Sequence, residues 1–244
     1  MKKKVVPAKV PVALEFPDEM SSAIEEVLEG EYELGYFGEK LTILDIGANV
    51  GSFAIWANMR WPQSKIYAFE PHPETFIILS NNIEKLDNII CHNVAVYPSD
   101  KGQELFYSRY AGDGESGLVV SVDKMFEELH EEKTFVVPAL HPKKLPKSDV
   151  IKIDTEGAEF QILSSMNLSE ASLILLEHHY LEDRDNIKEM LKREFLLERE
   201  DNFEWSALLA NSEYKRNLKD NYYGRLFFVN KRLNKLRRYT AADI

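Results

Sequence analysis

Short apolar runs alternate along the chain with longer segments whose apolar residues recur at helical spacing. The runs predict strands at Leu41–Ile46, Lys65–Glu70, Ile89–Val96, Asp149–Ile153, Ser172–Glu177, Phe195–Arg199 and Arg225–Asn230. The longer segments predict helices at Ser21–Leu34, Gly51–Arg60, Pro73–Leu86, Glu156–Met166 and Arg184–Glu194. This alternation predicts an α/β fold with a mostly parallel, doubly wound sheet, in which ligands bind beyond the carboxyl ends of the strands.

The sequence predicts three regions along the chain. Residues 1–40 form a helical extension and a candidate substrate cap, residues 41–230 form the α/β domain, and residues 231–244 form a basic tail. Between the third and fourth strands, Gln103–Tyr107 is predicted to pair back as a hairpin and Thr134–Ala139 to form a short strand. The glycine-rich segment Tyr110–Gly117 predicts a mobile loop.

A strand, a small-residue turn and a helix follow one another in Leu41–Phe53. Glycines in such a turn let the backbone approach a nucleotide closely. A dinucleotide fingerprint needs three glycines so that helix amides meet a pyrophosphate, but Asn49 stands at the middle position. The turn therefore predicts a ligand with one nucleoside and no phosphate, and S-adenosylmethionine is the common cofactor of that kind.

The ends of the next two strands extend this nucleoside site. Glu70 ends the second strand, and its carboxylate suits the two hydroxyls of a ribose. Asn93 and Ala95 come at the end of the third strand, where an amide and a small side chain would frame an adenine; plain strand packing is the alternative for both.

Polar side chains also end the fourth and fifth strands. Asp154 follows the fourth strand and is a candidate base, with helix N-capping as the rival role. Glu156 and Glu159 come next and suit the first turn of the following helix. The fifth strand ends in Glu177, His178 and His179, and strand alternation sends Glu177 and His179 to one side and His178 to the other.

Composition narrows the function classes. The formal net charge of −11 disfavours a nucleic-acid substrate, although Lys231–Arg238 carries five basic residues and no acid. No apolar run is long enough to span a bilayer, and the N-terminal segment is a poor signal peptide. A single cysteine fits a reducing compartment, so a cytoplasmic location is expected. The sequence does not specify an oligomeric state.

Five segments together resemble the FkbM family of S-adenosylmethionine-dependent methyltransferases. They are Leu44–Phe53, Phe69–Phe76, Asn93–Val96, Val150–Leu163 and Leu175–His179. The resemblance implies a Rossmann-like class I methyltransferase fold, with a seven-stranded sheet whose last strand is antiparallel. It also implies O-methylation of a sugar or another small hydroxyl-bearing natural product, with S-adenosylhomocysteine as the second product.

The resemblance also implies which residues form the site. The cofactor would contact Asp45, Gly47, Asn49, Gly51 and Glu70, with Asn93 near the adenine. We add from the same segments Ser52, Phe53, Pro71, Ala95 and Asp154. The candidate residues that accept the hydroxyl proton are Asp154, Glu177, His178 and His179.

No metal is predicted, because the sequence shows no closed ligand cluster. The alternative is a Mg²⁺ ion held by Asp154 with Glu177 or His178. Two other functions stay open: methylation of tRNA or rRNA, and a binding module that holds the cofactor without catalysis.

Overall fold

Seven strands form the central sheet of the computed structural model, which describes residues 3–4, 14–114, 116–119, 133–203, 223–232 and 237–238. In chain order they are β1 (Thr42–Ile46), β2 (Lys65–Phe69), β3 (Ile89–His92), β4 (Val150–Ile153), β5 (Leu173–His178), β6 (Phe195–Phe203) and β7 (Tyr223–Asn230). Their spatial order is β6-β7-β5-β4-β1-β2-β3, and only β7 runs against the others. The predicted α/β fold, with its seven-stranded sheet and antiparallel last strand, is confirmed.

The register of the sheet brings four strand ends level with one another. Ile46 pairs with Phe69 on one side and with Ile153 on the other, and Ile153 pairs with Leu176. The residues that follow these four positions therefore lie along one edge of the sheet, and they are Gly47, Glu70, Asp154 and Glu177.

Helices cover both faces of the sheet because its strands are apolar on both sides. One face packs against α1 (Ser21–Glu29), α2 (Ser52–Arg60) and α3 (Pro73–Ile83), in a core that includes Ile43 and Val150. The other packs against α4 (Glu159–Ser164) and α5 (Leu181–Leu191), in a core that includes Leu44 and Ile151.

The predicted third strand is wrong in its second half. The chain leaves the main sheet after His92, and Ala95–Val96 pairs instead with Thr134–Leu140 in a separate four-stranded sheet. The break has a local cause: the Asn93 amide donates to the carbonyl oxygens of Glu70 and Pro71 and holds the chain at the tip of β2. Gln103–Tyr107 also joins the small sheet, where it pairs antiparallel with Thr134–Leu140.

Two predicted helices are shorter than expected, because residues with a left-handed backbone conformation lie at the start of one and at the end of the other. The helix predicted from Glu156 begins at Glu159, since Glu156 and Gly157 have φ values of 57° and 102°. The helix predicted to reach Leu34 ends at Glu29, where Gly30 with φ 105° forms its C-cap. The other helix bounds differ by a few residues.

Residues 14–40 of the predicted extension pack into the main core. Phe16, Ile24 and Tyr32 are buried there, and the Asn82 side chain bonds both backbone polar groups of Glu15. Residues 1–2 and 5–13 lie outside the described residues. So does most of the basic tail, except Lys231, Arg232 and Arg237–Arg238. Among the described helices, none is long and apolar enough to cross a membrane.

Candidate active site

The turn after β1 lies against the turn after β4 more closely than a side chain would allow. A Cβ atom at Gly47 would stand 1.7 Å from the carbonyl oxygen of Asp154, and Gly47 has φ 77°. The amides of Gly47 and Ala48 donate to the carbonyl of Phe69, and the Asp154 amide donates to the carbonyl of Ile46. Only glycine fits at position 47 without displacing the backbone of Asp154.

Glu70 lies at the tip of β2 and is held by two backbone amides. The Asn49 amide donates to Oε2 at 2.9 Å, and the His72 amide donates to Oε1 at 2.8 Å. Burial raises the pKa of the Glu70 carboxyl to about 7, although these two hydrogen bonds and Lys152 act in the opposite direction. The side chain is thus poised to ionise near neutral pH.

Two adjacent cavities open along the carboxyl edge of the sheet. The first, the Glu70 cavity, has both apolar and polar walls and is lined by Ile46, Phe69, Glu70, Pro71, Ala95, Val96, Phe106, Asp113, Leu118 and neighbouring residues. The second, the Glu177 cavity, is rich in charged groups and is lined by Glu26, Glu31, Tyr32, Ser52, Phe53, Lys152, Glu177, His179, Tyr223, Arg225 and neighbouring residues. The residues that line both are Gly47, Asn49, Gly114, Asp154 and Glu156.

Three predicted cofactor residues do not line either cavity. Asp45 is fully buried behind the turn, with Oδ1 3.4 Å from the Lys152 ammonium. Gly51 caps α2, and a Cβ there would stand 2.7 Å from Leu79. Asn93 bonds the backbone of β2, as described above. The structure places these three behind the site, where they shape its backbone.

Lys152 is a charged residue in the middle of a buried strand. Its ammonium donates to the carbonyl of Gly47 at 2.7 Å, and it lies 3.6 Å from the Asp154 carboxylate. Burial alone would lower the pKa of Lys152, but the neighbouring carboxylates Asp45, Asp154 and Glu177 outweigh it and raise that pKa. Lys152 therefore stays cationic and ties the two turns together.

Glu177 is anchored through one of its two carboxylate oxygens. Oε1 accepts hydrogen bonds from the Tyr32 hydroxyl at 3.3 Å and from the Arg225 guanidinium at 3.0 Å. Among the described residues, Oε2 makes no hydrogen bond. Burial, and then the nearby Asp154 carboxylate, raise the pKa of Glu177 well above its usual range. A half-buried carboxylate with one oxygen held and one open is suited to accept a proton.

The two histidines at the end of β5 lie on opposite sides, as strand alternation predicts. His178 lines neither cavity, is fully buried, and makes no hydrogen bond within the described part of the chain. Burial lowers its pKa to about 4. The structure therefore does not bring His178 to the site.

His179 does line the Glu177 cavity, but two carboxylates flank it. Its Nε2 is 3.3 Å from Glu156 and its Nδ1 is 3.3 Å from Glu159. Burial opposes the charge on the ring, yet Glu156 and Glu159 outweigh that effect and raise the pKa of His179 well above its usual range. An imidazole that already holds a proton is a poor base, so this arrangement favours a carboxylate over His179 as a proton acceptor.

Asp154 does not cap a helix, which removes its rival role. The residue before α4 is Ala158, and no side chain caps that helix.

Two of the three described non-glycine residues with positive φ are Asn49 and Glu156, and both line the two cavities. Strained backbone of this kind concentrates at functional sites.

The described residues of the loop predicted at Tyr110–Gly117 are anchored by hydrogen bonds. Glu115 lies outside the described residues. Asp113 is buried and accepts hydrogen bonds from the amide and guanidinium of Arg109. The Gly112 amide donates to Thr75, and the Asn49 side chain donates to the Asp113 carbonyl. The loop therefore forms part of the wall of both cavities, while its mobility stays a prediction.

Sequence reasoning missed several residues of the Glu177 cavity. One had a local signal: Lys152 is a lysine inside an otherwise apolar buried run, which is unfavourable without a carboxylate partner. Tyr32, Tyr223 and Arg225 had none, because they come from the extension and from β7. Arg225 reaches Glu177 through the antiparallel pairing of β7 with β5, where the two residues are register partners.

A family model described as the methyltransferase FkbM domain matches residues 45–215. "Methyltransferase 1" of Beauveria bassiana (strain ARSEF 2860) is 28% identical over 167 residues, covering 59% of this chain and 65% of that protein. Methyltransferase sdnD of Sordaria araneosa is 25% identical over 173 residues, covering 59% and 67% respectively. Hexuronic acid methyltransferase AglP of Haloferax volcanii is 23% identical over 150 residues, covering 60% and 59%.

The chain thus spans about 59–67% of the length of these curated relatives. Among solved structures, precorrin-6y C5,15-methyltransferase from Geobacter metallireducens GS-15 aligns with a TM-score of 0.46 and 15% identity. That alignment covers 87% of this chain and 93% of the other.

Proposed function

This chain belongs to the FkbM methyltransferase family, and on that premise we propose that it transfers the methyl group of S-adenosylmethionine to a hydroxyl oxygen of a small acceptor. One observation carries the proposal: a cavity that combines apolar side chains with the Glu70 carboxylate adjoins a second cavity rich in charged groups, and the turns after β1 and β4 form the wall that both share. Two ligands bound in neighbouring cavities would meet at that wall.

The Glu70 cavity suits the nucleoside end of the cofactor. Its apolar side chains match a flat adenine, and the Glu70 carboxylate is the natural acceptor for two ribose hydroxyls. The methionine end and its sulfonium would then lie at the shared wall, beside Gly47, Asn49 and Asp154. This placement explains why no pyrophosphate cradle is needed.

The Glu177 cavity suits a polar acceptor. In the transfer step the acceptor oxygen forms a bond to the methyl carbon while the bond between sulfur and carbon breaks, which leaves a neutral thioether. The hydroxyl proton passes to Oε2 of Glu177, whose other oxygen is held by Tyr32 and Arg225. The protein's main contribution is to hold donor and acceptor in line, an effect worth several kcal/mol or more, up to about 7–11 kcal/mol.

The charge of the cavity favours a sugar over a nucleic acid. Carboxylates from Glu26, Glu31, Asp154, Glu156 and Glu177 line it and would repel a phosphate backbone. Sugar hydroxyls donate well to carboxylates. The name of one relative, a hexuronic acid methyltransferase, agrees with an acceptor of this class.

Cofactor affinity is expected to fall below about pH 7, because burial raises the pKa of Glu70 to about 7. Ribose hydroxyls donate to the ionised carboxylate, so in more acidic solution binding must first remove a proton. Calorimetric titration with S-adenosylhomocysteine should show the Kd rising towards about tenfold per pH unit below that pKa.

The Glu70→Gln variant should bind more weakly at about pH 8 and lose this pH dependence. Glu74→Gln, an exposed acid four residues further along, should keep it. A wild-type Kd that stays constant between about pH 5 and about pH 8 would exclude ribose recognition by an ionised Glu70.

The function is tested by incubating the protein with methyl-labelled S-adenosylmethionine and separate pools of sugars, glycolipids, small phenols and RNA. We expect label in a sugar or another hydroxyl-bearing small molecule, bound through an ether that resists mild base. Label in RNA would replace the proposal with a nucleic-acid methyltransferase. Saturable cofactor binding without transfer to any pool would indicate a binding module.

A further inference from the structure

We propose that Asp154, Glu156 and His179 form a binding site for a divalent cation on the wall of the Glu177 cavity. One carboxylate oxygen from each acid and one ring nitrogen of the histidine lie within 4.8 Å of one another. Three ligands around a single ion at about 2.1 Å are separated by about 3–4 Å, so only a small contraction is needed.

The three side chains reach the cavity from neighbouring strand ends. Asp154 and Glu156 lie in the turn after β4, and His179 follows β5, which pairs with β4. All three line the Glu177 cavity, and their exposed fractions fall from 29% for Asp154 through 14% for Glu156 to 2% for His179. The cluster is therefore open to solutes on one side and supported by the protein on the other.

Glu159 supports the histidine from behind. Its carboxylate lies 3.3 Å from Nδ1 of His179, and it accepts hydrogen bonds from the amides of Thr155 and Gly157 and from the Thr155 hydroxyl. A fixed carboxylate on one ring nitrogen, with the other nitrogen turned to a metal, is the usual support of a metal-binding histidine.

The backbone of the turn presents the second carboxylate. Glu156 has φ 57°, and the following Gly157 has φ 102°, so the chain stays out of the helix for two residues. This left-handed bend is what brings the Glu156 carboxylate to within 3.3 Å of His179. Strain of this kind persists where surrounding contacts over-determine it, typically at a ligand site.

The balance of charge in the described lining also favours a cation. Five carboxylates line the Glu177 cavity, namely Glu26, Glu31, Asp154, Glu156 and Glu177, against the cations Lys152 and Arg225, because His179 must give up its proton and be neutral to bind a metal. Arg225 contacts both Glu31 and Glu177, while Lys152 is shared between Asp154 and the deeper Asp45. A divalent cation would offset the remaining negative charge around Asp154 and Glu156.

The site differs from the one considered from sequence. Glu177 is engaged by Tyr32 and Arg225, and His178 faces away, so neither joins Asp154. Two carboxylate oxygens and one imidazole nitrogen suit Mn²⁺ or a similar ion that keeps open coordination positions.

Open coordination positions on such an ion would also define the acceptor. Resting on the proposed function, we infer an acceptor with two adjacent oxygens, such as a vicinal diol or a hydroxy acid, that binds the cation through both. Binding to the cation lowers the pKa of the hydroxyl that is methylated and leaves Glu177 to take its proton.

The test measures Mn²⁺ binding to the cofactor-free protein. Binding is detected as the loss of the electron paramagnetic resonance signal of free Mn²⁺. We expect one ion per chain, and binding at least about tenfold weaker in Glu156→Gln and in Asp154→Asn. The matched control is Glu26→Gln, which removes a carboxylate from the same cavity outside the cluster and should change the Kd by less than about twofold. The glutamine at 156 preserves shape, and the midpoint of thermal unfolding checks that each variant folds.

The proposed site would be overturned if the protein bound no Mn²⁺ at about millimolar Mn²⁺. It would also be overturned if Glu156→Gln and Glu26→Gln weakened Mn²⁺ binding equally. Unchanged methyl transfer after exhaustive chelation would overturn the role in acceptor binding. Because Mn²⁺ binding is measured without cofactor or acceptor, specific binding by a protein that methylates nothing would support the site and overturn the proposed function instead.

Discussion

Replacing Glu177 with glutamine is expected to lower kcat by about a hundredfold to ten-thousandfold, the usual contribution of a positioned base. Glutamine keeps the hydrogen bond that Oε1 accepts from Arg225, so the cavity should keep its shape. The variant loses only the open oxygen that takes the acceptor's proton. Single-turnover methyl transfer with saturating cofactor measures the effect directly.

The pH profile separates a base from a residue that only shapes the cavity. Burial and Asp154 raise the pKa of Glu177, so wild-type kcat should increase with pH as this carboxyl ionises and then level off. The variant should lack that step. Cofactor affinity in Glu177→Gln should stay within about threefold of wild type, because Glu177 does not line the Glu70 cavity. Glu182→Gln, an exposed acid at the start of α5, is the control for kcat. A normal kcat in the Glu177→Gln variant would exclude Glu177 as the base.

Replacing Gly47 with alanine is expected to lower the free energy of unfolding by about 3 kcal/mol or more. Two costs combine: the left-handed φ of 77°, and a Cβ placed 1.7 Å from the Asp154 carbonyl oxygen. The turns after β1 and β4 must separate to admit the methyl group. Because they form the shared wall of the two cavities, cofactor affinity should fall together with stability. Urea unfolding and calorimetric titration measure the two effects.

Gly102→Ala is the matched control, since Gly102 has a similar φ of 71° but nothing within 4 Å of the added Cβ. It carries the backbone cost alone, about 1 kcal/mol, without any steric clash. Similar losses in the two variants would show that the close approach to Asp154 contributes nothing. A folded Gly47→Ala protein with normal cofactor affinity would disprove the role assigned to the turn.

The fold was predictable because its signals are local and repeated. Buried parallel strands read as apolar runs, so the predicted ends of β1, β2, β4 and β5 lie within one residue of the observed ends at Ile46, Phe69, Ile153 and His178. The carboxyl ends of parallel strands lie along one edge of a sheet. The strand pattern alone therefore predicts that the polar residues at these ends lie close together.

The misses come from side chains and backbone conformations that act over long sequence separations or against local propensity. Asn93 ends β3 by bonding the carbonyls of Glu70 and Pro71, a contact no apolar pattern encodes. The helix predicted from Glu156 starts late because two successive residues are left-handed, and Glu156 belongs to a residue type that rarely adopts that conformation.

The roles of the candidate bases could not be ranked from the sequence. His178 and His179 are adjacent and identical in type, yet His178 is fully buried away from both cavities with a lowered pKa, and His179 lies between two carboxylates with a raised pKa. Tyr32 and Arg225, which anchor Glu177, lie 145 and 48 residues away from it in the chain. Only the three-dimensional arrangement distinguishes these environments.

The contact between Tyr32 and Glu177 also bears on how acceptor choice can diverge among relatives. Residues 14–40 contribute Glu26, Glu31 and Tyr32 to the Glu177 cavity, the proposed acceptor site, whereas the described lining of the Glu70 cavity, the proposed nucleoside site, comes from elsewhere in the chain. Tyr32 packs on Phe53, with ring centroids 5.2 Å apart, and the segment also meets the sheet domain through the buried Phe16 and Ile24 and through hydrogen bonds to Asn82 and Arg60. We expect a transplant of residues 14–40 between family members, with these core contacts kept, to exchange acceptor preference while the methyl donor stays the same.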